Sequence, residues 1–488
     1  MPHTKTRSVA VAAGLTLIAL AAAPVRAQNA PRLLTLAQAI DEALQKNDRM
    51  ISQHDNGERA GLAVRGARSQ FQPKIVPNVR GSFGQTNVSD QSYRLDLSQR
   101  FVNGTEVRLG SGTSTAQVPA LDGSEDIRFY NTDTTLLVSQ PLLKGFGAGV
   151  TRRSLTLAEM RQAEAGRQQK LTEQQIAVEV AQAYYRVVAQ GTMITVARRG
   201  FDRARQLRDA SEAKLSAGLV SQLDILRAQQ LVSQAEMQLF DAEAAADDAR
   251  DQLRFLIGAD ADAQFDVIPD IPKTVEDVSP EQAISQALTN RLDLQGAIAE
   301  AADADRAIAF ARNQLRPQFD LNLALTRRET ADTLSRSFGL DKFQFATFFN
   351  ISMPVDRTPQ TIEFQNAMIE RDRRQRDIDT LRRRISDDVR RQLRQRDRIV
   401  RSLAAAENNV QLAQQEVEVA RLRYERGLSN NLDVVSAETN LLSIESVRIL
   451  ALAELATSRL SLRATLGILD PHKDAAEPGA SARAEDHE

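Results

Sequence analysis

Few residues of this chain are of the kinds that carry catalysis, and those few do not cluster. Its 488 residues include no cysteine and four histidines, His3, His54, His472 and His487. His3 falls in a leader, His54 is isolated and the other two lie near the C-terminus, which leaves no imidazole–thiolate set for zinc or iron. Lys144-Gly145-Phe146-Gly147-Ala148-Gly149 imitates a phosphate loop but lacks the Gly-Lys-Ser/Thr ending and a buried strand before it. A flexible strand-to-helix joint explains those glycines better. No catalytic group, cofactor or metal site is expected, and the chain does not read as an enzyme.

What recurs instead is a carboxylate after a tight turn. Asp224 closes Gly218-Leu219-Val220-Ser221-Gln222-Leu223-Asp224, and Asp433 closes Gly427-Leu428-Ser429-Asn430-Asn431-Leu432-Asp433. Each glycine suits a left-handed turn, and each Asp can cap the helix that follows.

The turns belong to a duplication. The second starts 209 residues after the first (427 against 218), and the same offset carries Ile176 onto Ile385, Val180 onto Val389, Leu253 onto Leu462 and Gly258 onto Gly467. Residues 176–258 and 385–467 are therefore two copies of one long helical hairpin. Ile176, Val180, Ala183, Val187, Ile194, Ala197, Phe201 and Ala204 recur at steps of four and three, with Gln190 filling one gap. Ile385, Val389, Ile399, Leu403, Ala406, Val410, Ala413, Val417, Ala420 and Tyr424 repeat the register. A seam of this period makes helices supercoil on partners. No proline occurs from 142 to 268 or from 360 to 470, so a helix from about Val150 to Leu215 would span roughly 100 Å. The many alanines suit close packing of several helices, as in a wide barrel.

The chain opens like an exported protein. His3, Lys5 and Arg7 precede an apolar run from Val9 to Ala23, and Val25-Arg26-Ala27 resembles a cleavage site, which gives a signal peptide of residues 1–27. Its loss removes three basic and no acidic residues, taking the net charge from −2 to about −5 and arguing against a nucleic-acid partner. After the leader no apolar run is long enough for a spanning helix. Strand alternation appears instead, from Phe319 to Thr326 and from Phe343 to Met353. Roughly ten alternating residues rich in aromatics match a strand of an outer-membrane barrel.

These strand regions are also duplicated. Leu36–Leu44 resembles Pro280–Leu288 at an offset of 244, which also maps Gln70 and Pro73 onto Gln314 and Pro317. The first repeat is read as 28–258, with strands at about 73–141; the second as 280–467, with strands at about 317–354. A Pro- and Asp-rich linker (259–279) joins them, and 468–488 reads as a disordered tail. The first half is about thirty residues longer between its prolines. Tyr93–Leu97 and Glu106–Leu109, flanking Asn103-Gly104, read there as a further hairpin. Residues 371–401 are Arg-heavy with interspersed Asp, the pattern of a solvated helix face laced with ion pairs.

Taken together, the paired halves, the Gln-Pro exits, Ser139-Gln140-Pro141-Leu142 and the two Gly-Leu…Leu-Asp turns resemble the TolC family of trimeric outer-membrane efflux and secretion channels. The resemblance covers Leu36 to Gly467. It implies a mainly α fold with a membrane β part. Four strands per protomer would enter one shared twelve-strand β-barrel, and the long hairpins would form a periplasmic α-barrel. It further implies a homotrimer in the outer-membrane lipid, with a long periplasmic extension, a periplasmic adaptor and an inner-membrane pump. Four strands cannot close a barrel alone, and an open edge is forbidden in lipid, so such a protomer must assemble. The family's periplasmic gate maps onto Tyr424, Asp224 and Asp433, while Ser436 and Ser429 stand where relatives carry Asp and Arg. Gly218, Leu219, Gly427 and Leu428 fall at the tips that would meet the adaptor. The rival reading is a periplasmic coiled-coil adaptor or spacer, although such proteins usually carry one hairpin rather than two in tandem.

Overall fold

The computed structural model describes residues 32–82, 91–118, 127–338 and 341–476; the signal peptide expected at 1–27 lies outside the described residues. The first half runs β1 (Arg32–Leu34), α1 (Leu36–Lys46), α2 (Asp48–Arg68), β2 (Lys74–Gly81), β3 (Gln91–Arg100), β4 (Glu106–Val118), β5 (Ile127–Pro141), α3 (Ala148–Thr151), α4 (Arg153–Ser216) and α5 (Gln222–Leu256). Strand β6 (Phe265–Val267) lies in the linker and pairs in parallel with β1. The second half runs α6 (Pro280–Asn290), α7 (Leu292–Gln314), β7 (Gln318–Ala331), α8 (Leu334–Ser337), β8 (Gln344–Ser352), α9 (Thr358–Glu425), α10 (Asn431–Leu466) and α11 (Pro471–Ala476).

Two helices set the scale. α4 and α9 have 64 and 68 residues, about 100 Å each at ~1.5 Å per residue. Pro359 sits in the first turn of α9, where its missing N–H is no loss. The seam faces inward as its period requires. All ten seam residues from Ile385 to Tyr424 are buried, as are Ile176, Val180, Ala183, Val187, Ala197 and Ala204, while Ile194 and Phe201 are half-buried. α4 packs between α5 and α2 on one side and α10 and α7 on the other; α9 packs on α10 and α7. The result is a layer four helices wide, in which α2 continues the line of α5 and α7 continues that of α10. No described helix is long and apolar enough to cross a membrane.

Each end-to-end joint depends on a glycine. Gly258 (φ +63°) ends α5 with its Cα so close to the α1–α2 corner that a Cβ would lie 2.8 Å from Lys46 O. Asn47 finishes that joint: its side chain accepts from Arg49 N at 2.9 Å and donates to Leu256 O at 2.9 Å. The second half repeats the device. Gly467 (φ +73°) ends α10, and a Cβ there would lie 2.9 Å from Arg291 N. Around the first joint, Ile176, Val180, Ile40 and Leu253 form the main core with Tyr184 and Tyr185. Burial there pushes the Tyr185 phenol up to about 12.

The sheet departs from expectation. Among the described residues six strands, not four, form one antiparallel meander in the order β2-β3-β4-β5-β7-β8. The extra pair is the hairpin flagged by Asn103-Gly104; its turn is closed by Phe101 N to Thr105 O at 2.8 Å, and it pairs on both sides. The two faces differ sharply. Ile75, Leu97, Leu109, Leu136, Leu325 and Phe345 lie opposite one another in a single row across all six strands. The next row on the other face is Val76, Asp96, Gly110, Thr135, Thr326 and Gln344. An apolar outer band with a polar inner face is the pattern of a barrel wall in lipid. The tail also differs in part: 471–476 is helical, held by the buried Asp474, whose carboxylate accepts from Arg463 and from Asp470 N.

The joints yield a graded expectation. Alanine at Gly218 or Gly427, where a Cβ meets nothing within 4 Å, should cost only the left-handed penalty of about 1–2 kcal/mol. Gly258→Ala and Gly467→Ala add a backbone clash and should lower the thermal unfolding midpoint distinctly more. Equal shifts for all four variants, followed by circular dichroism, would rule out the close-approach argument.

Candidate functional site at the hairpin tips

Both hairpins reverse through glycines at φ +70° (Gly218) and +72° (Gly427), where the backbone conformation alone favours glycine. Leu219 N then closes on Lys214 O at 2.9 Å and Leu428 N on Arg423 O at 2.8 Å. These two leucines are 74% and 67% exposed. Ser221 and Asn430 cap α5 and α10. The Asp224 carboxylate is taken up locally, accepting from Ser221 N at 3.0 Å and Ser221 Oγ at 2.7 Å, with Arg227 at 3.9 Å. Asp433 gives only its backbone N–H, to Asn430 Oδ1 at 3.3 Å. Its exposed carboxylate has no partner among the described residues.

Between the hairpins lies a buried polar knot. Ser211 Oγ donates to Leu207 O at 2.8 Å, so its lone pairs are left to accept from the Tyr424 hydroxyl at 2.8 Å and Asn431 Nδ2 at 3.3 Å. Asn431 Nδ2 also donates to Asp224 O at 2.9 Å. The Lys214 ammonium sits 4.0 Å from the centre of the Tyr424 ring and donates to the Tyr424 carbonyl. Side chains of α4, α9 and α10 and the backbone of α5 thus meet at one point. Each neutral hydrogen bond contributes about 1 kcal/mol, and the cation–ring contact about 0.5–2 kcal/mol.

Sequence reasoning pointed to Tyr424, Asp224 and Asp433 as parts of one gate. The Tyr424 hydroxyl bonds Ser211, not Asp224, because the Asp224 carboxylate is occupied in its own capping box. Ser211, Lys214 and Asn431 were missed. Ser211 carried a signal: it lies two seam steps beyond Ala204, a hydroxyl where its counterpart 209 residues on is the apolar Ala420. A second group was also missed. Glu438, two turns along α10 from Asn431, is buried between Arg203 of α4 (2.6 Å) and Arg421 of α9 (2.8 Å). Its counterpart in the first repeat is Gln229.

Paired hairpins, a membrane-type sheet and the repeat are matched by comparison with known proteins. A profile of the outer membrane efflux protein family matches residues 39–259 and 283–468, one segment in each half. The chain belongs to the outer membrane efflux protein family. It is accordingly an outer-membrane efflux channel, of a family of channels rather than enzymes. No functionally curated protein matches the sequence. Solved structures of the same fold include the outer-membrane channel OprN, at 17% identity and a TM-score of 0.68 over 88% of this chain and 89% of that one. VceC of Vibrio cholerae gives 16% identity and a TM-score of 0.67 over 88% and 96% of the two chains. The open state of MtrE from Neisseria gonorrhoeae gives 18% and 0.64 over 89% of each.

The knot makes separable predictions for this efflux protein. Ser211→Ala and Tyr424→Phe should each speed amide exchange in the first turns of α5 and α10, by roughly fivefold for a loss of about 1 kcal/mol. Asp224→Asn should act on the start of α5 alone. Exchange in α10 that responds to Asp224→Asn as strongly as to Tyr424→Phe would show instead that the Asp224 carboxylate is part of the knot.

Proposed function

We propose that the chain is the exit duct of a tripartite efflux or type I secretion machine, a homotrimer opened at its periplasmic tips by an adaptor that also holds an inner-membrane pump. The observation that carries this reading is that the protomer is an unclosed layer with apolar flanks. At one flank of the helical layer α5 exposes Leu226, Met237 and Phe240; at the other α9 exposes Leu412, Val419 and Leu422. Both outer strands of the sheet, β2 and β8, lack a second partner among the described residues. Exposed apolar surface on both flanks favours lateral association with copies of the same chain. An independent coiled-coil spacer has no use for a lipid-facing sheet, so the adaptor reading is the weaker one.

In this assembly Gly218, Leu219, Gly427 and Leu428 form the surface offered to the adaptor. Tyr424 and the knot around it hold the closed state, and three copies of Asp433 face one axis. The helix N-terminus partly stabilises each carboxylate, yet three of them converging still favour cations. Purification of the full-length protein should give a detergent-requiring trimer from outer membranes; a soluble periplasmic monomer would defeat the proposal. In planar bilayers Tyr424→Phe should raise conductance. Asp433→Ala should lower the cation-to-anion permeability ratio by about twofold or more and relieve block by multivalent cations. Unchanged conductance and unchanged block would reduce these residues to turn formers.

A further inference from the structure

We propose that the hairpin β3–β4 is part of the membrane wall, so that three copies close an eighteen-strand barrel by pairing the β8 edge of one with the β2 edge of the next. The inference rests on the trimer proposed above; it concerns what kind of barrel that trimer builds.

The hairpin could in principle sit outside the wall, as an extracellular or periplasmic flap. Its pairing says otherwise. β3 pairs with β2 from Gly81 to Lys74, and β4 pairs with β5 from Val118 to Glu106, so the hairpin separates β2 from β5 along the ladder. Its turn lies at the helical end of the sheet: Gly147 N donates to Asn103 O at 3.2 Å, and Gln99 Nε2 to Phe71 O at 2.5 Å. From that end both strands run the height of the sheet. Leu97 and Leu109 occupy the second and third places of the apolar row described above, continuing it from β2 to β5. On the opposite face, Arg94 of β3 reaches across β4 to Asp133 of β5 at 2.8 Å while also bonding Asp96 at 2.9 Å. That crossing is possible because β4 carries glycine beneath it. A Cβ on Gly110 would lie 2.5 Å from the Arg94 guanidinium, and one on Gly112 3.0 Å from its Cγ. The hairpin is thus tied to the parent sheet by ladder and by ion pair.

Closure follows from direction and size. Strand direction alternates through the meander, so β2 and β8 run oppositely and the edges of two copies meet antiparallel, as every other pair does. Strands ~4.8 Å apart and tilted about 40° each occupy about 6 Å of circumference, so eighteen give about 110 Å and twelve about 75 Å. Twelve helices at 9–10 Å spacing, four from each copy, give roughly 110–120 Å. An eighteen-strand wall therefore meets the α-barrel at nearly equal width, and the duct need not narrow where helix becomes strand.

The chain has no native cysteine, which makes site-specific labelling clean. Full-length protein in nanodiscs would be imaged by electron microscopy. A trimer with eighteen wall strands is the expected result. A trimer with twelve, its hairpin outside the wall, overturns this inference and leaves the channel reading standing; failure to form trimers overturns both. Independently, a bimane label on Leu97→Cys or Leu109→Cys should be quenched by brominated lipid to within about twofold of one on Leu325→Cys, which lies in the same row. Labels quenched only from water would overturn the inference. Removal of residues 91–118 leaves an even strand number. If that variant assembles, the size of polymer able to enter from the extracellular side should fall by about a third; an unchanged limit would count against the hairpin as wall.

Discussion

Hydrocarbon offers a strand edge no hydrogen-bond partner, and much of this molecule's design follows from that. Each unpaired backbone N–H or C=O in lipid costs several kcal/mol. A six-stranded sheet with an apolar outer face cannot rest there alone. Within the chain every inner strand is paired on both sides, and the glycines of β4 remove side chains only where an arginine must cross. What remains open is the pair of outer strands, which run in opposite directions. In the assembly proposed above, a ring of copies would leave neither edge exposed.

The helical layer solves the same problem in water with different means. It too has two flanks, and it too would be narrower than its span without splicing. α4 and α9 run the whole height, but their neighbours are each made of two helices set end to end. Such joints usually leave unsatisfied carbonyls and poor packing. Here a left-handed glycine lets the end of one helix approach the start of the next within contact distance, and the device is used twice at equivalent places, Gly258 and Gly467. The halves nevertheless finish the joint differently. Asn47 bridges the first with an amide, whereas the second places Arg291, bound to Asp293 and Asp388. Geometry is repeated; the polar chemistry laid over it is not.

This division explains what could be read from the residues. Periodicity survives duplication because burial enforces it, so the seam from Ile385 to Tyr424, the turns at Gly218 and Gly427 and the alternating runs in β7 and β8 were all legible. The Asn103-Gly104 hairpin was legible as a hairpin, but its place was not. A strand's partners are set by register with distant segments, and Leu97 opposite Leu109 and Leu109 opposite Leu136 appear only once the sheet is assembled. The polar knot was hidden for a related reason. Tyr424 needed a buried acceptor, and the Asp224 carboxylate is not free to serve, being held in the capping box with Ser221. The acceptor was a hydroxyl on the seam of another helix, distinguishable in sequence only by breaking the pattern its counterpart Ala420 keeps.

The two ends of the helical layer are held by different physics, and that difference bears on the tip opening proposed above. Near the joints the core is built of Ile, Leu, Val and paired tyrosines, whose burial contributes about 1.5–3 kcal/mol for each large side chain. Towards the tips α4 contributes mainly Ala204 and Leu207, and cohesion shifts to Ser211, Asn431, Lys214 and the Arg203–Glu438–Arg421 group. Hydrogen bonds there contribute about 1 kcal/mol each because water can replace them. A buried carboxylate between two guanidinium groups gains specificity more than stability, since desolvation offsets much of its attraction. In the machine proposed above, an opening force applied at Leu219 and Leu428 would act on the more polar end of the layer, where α5, α9 and α10 still keep an apolar cluster with Leu231, Val417, Val434 and Leu441.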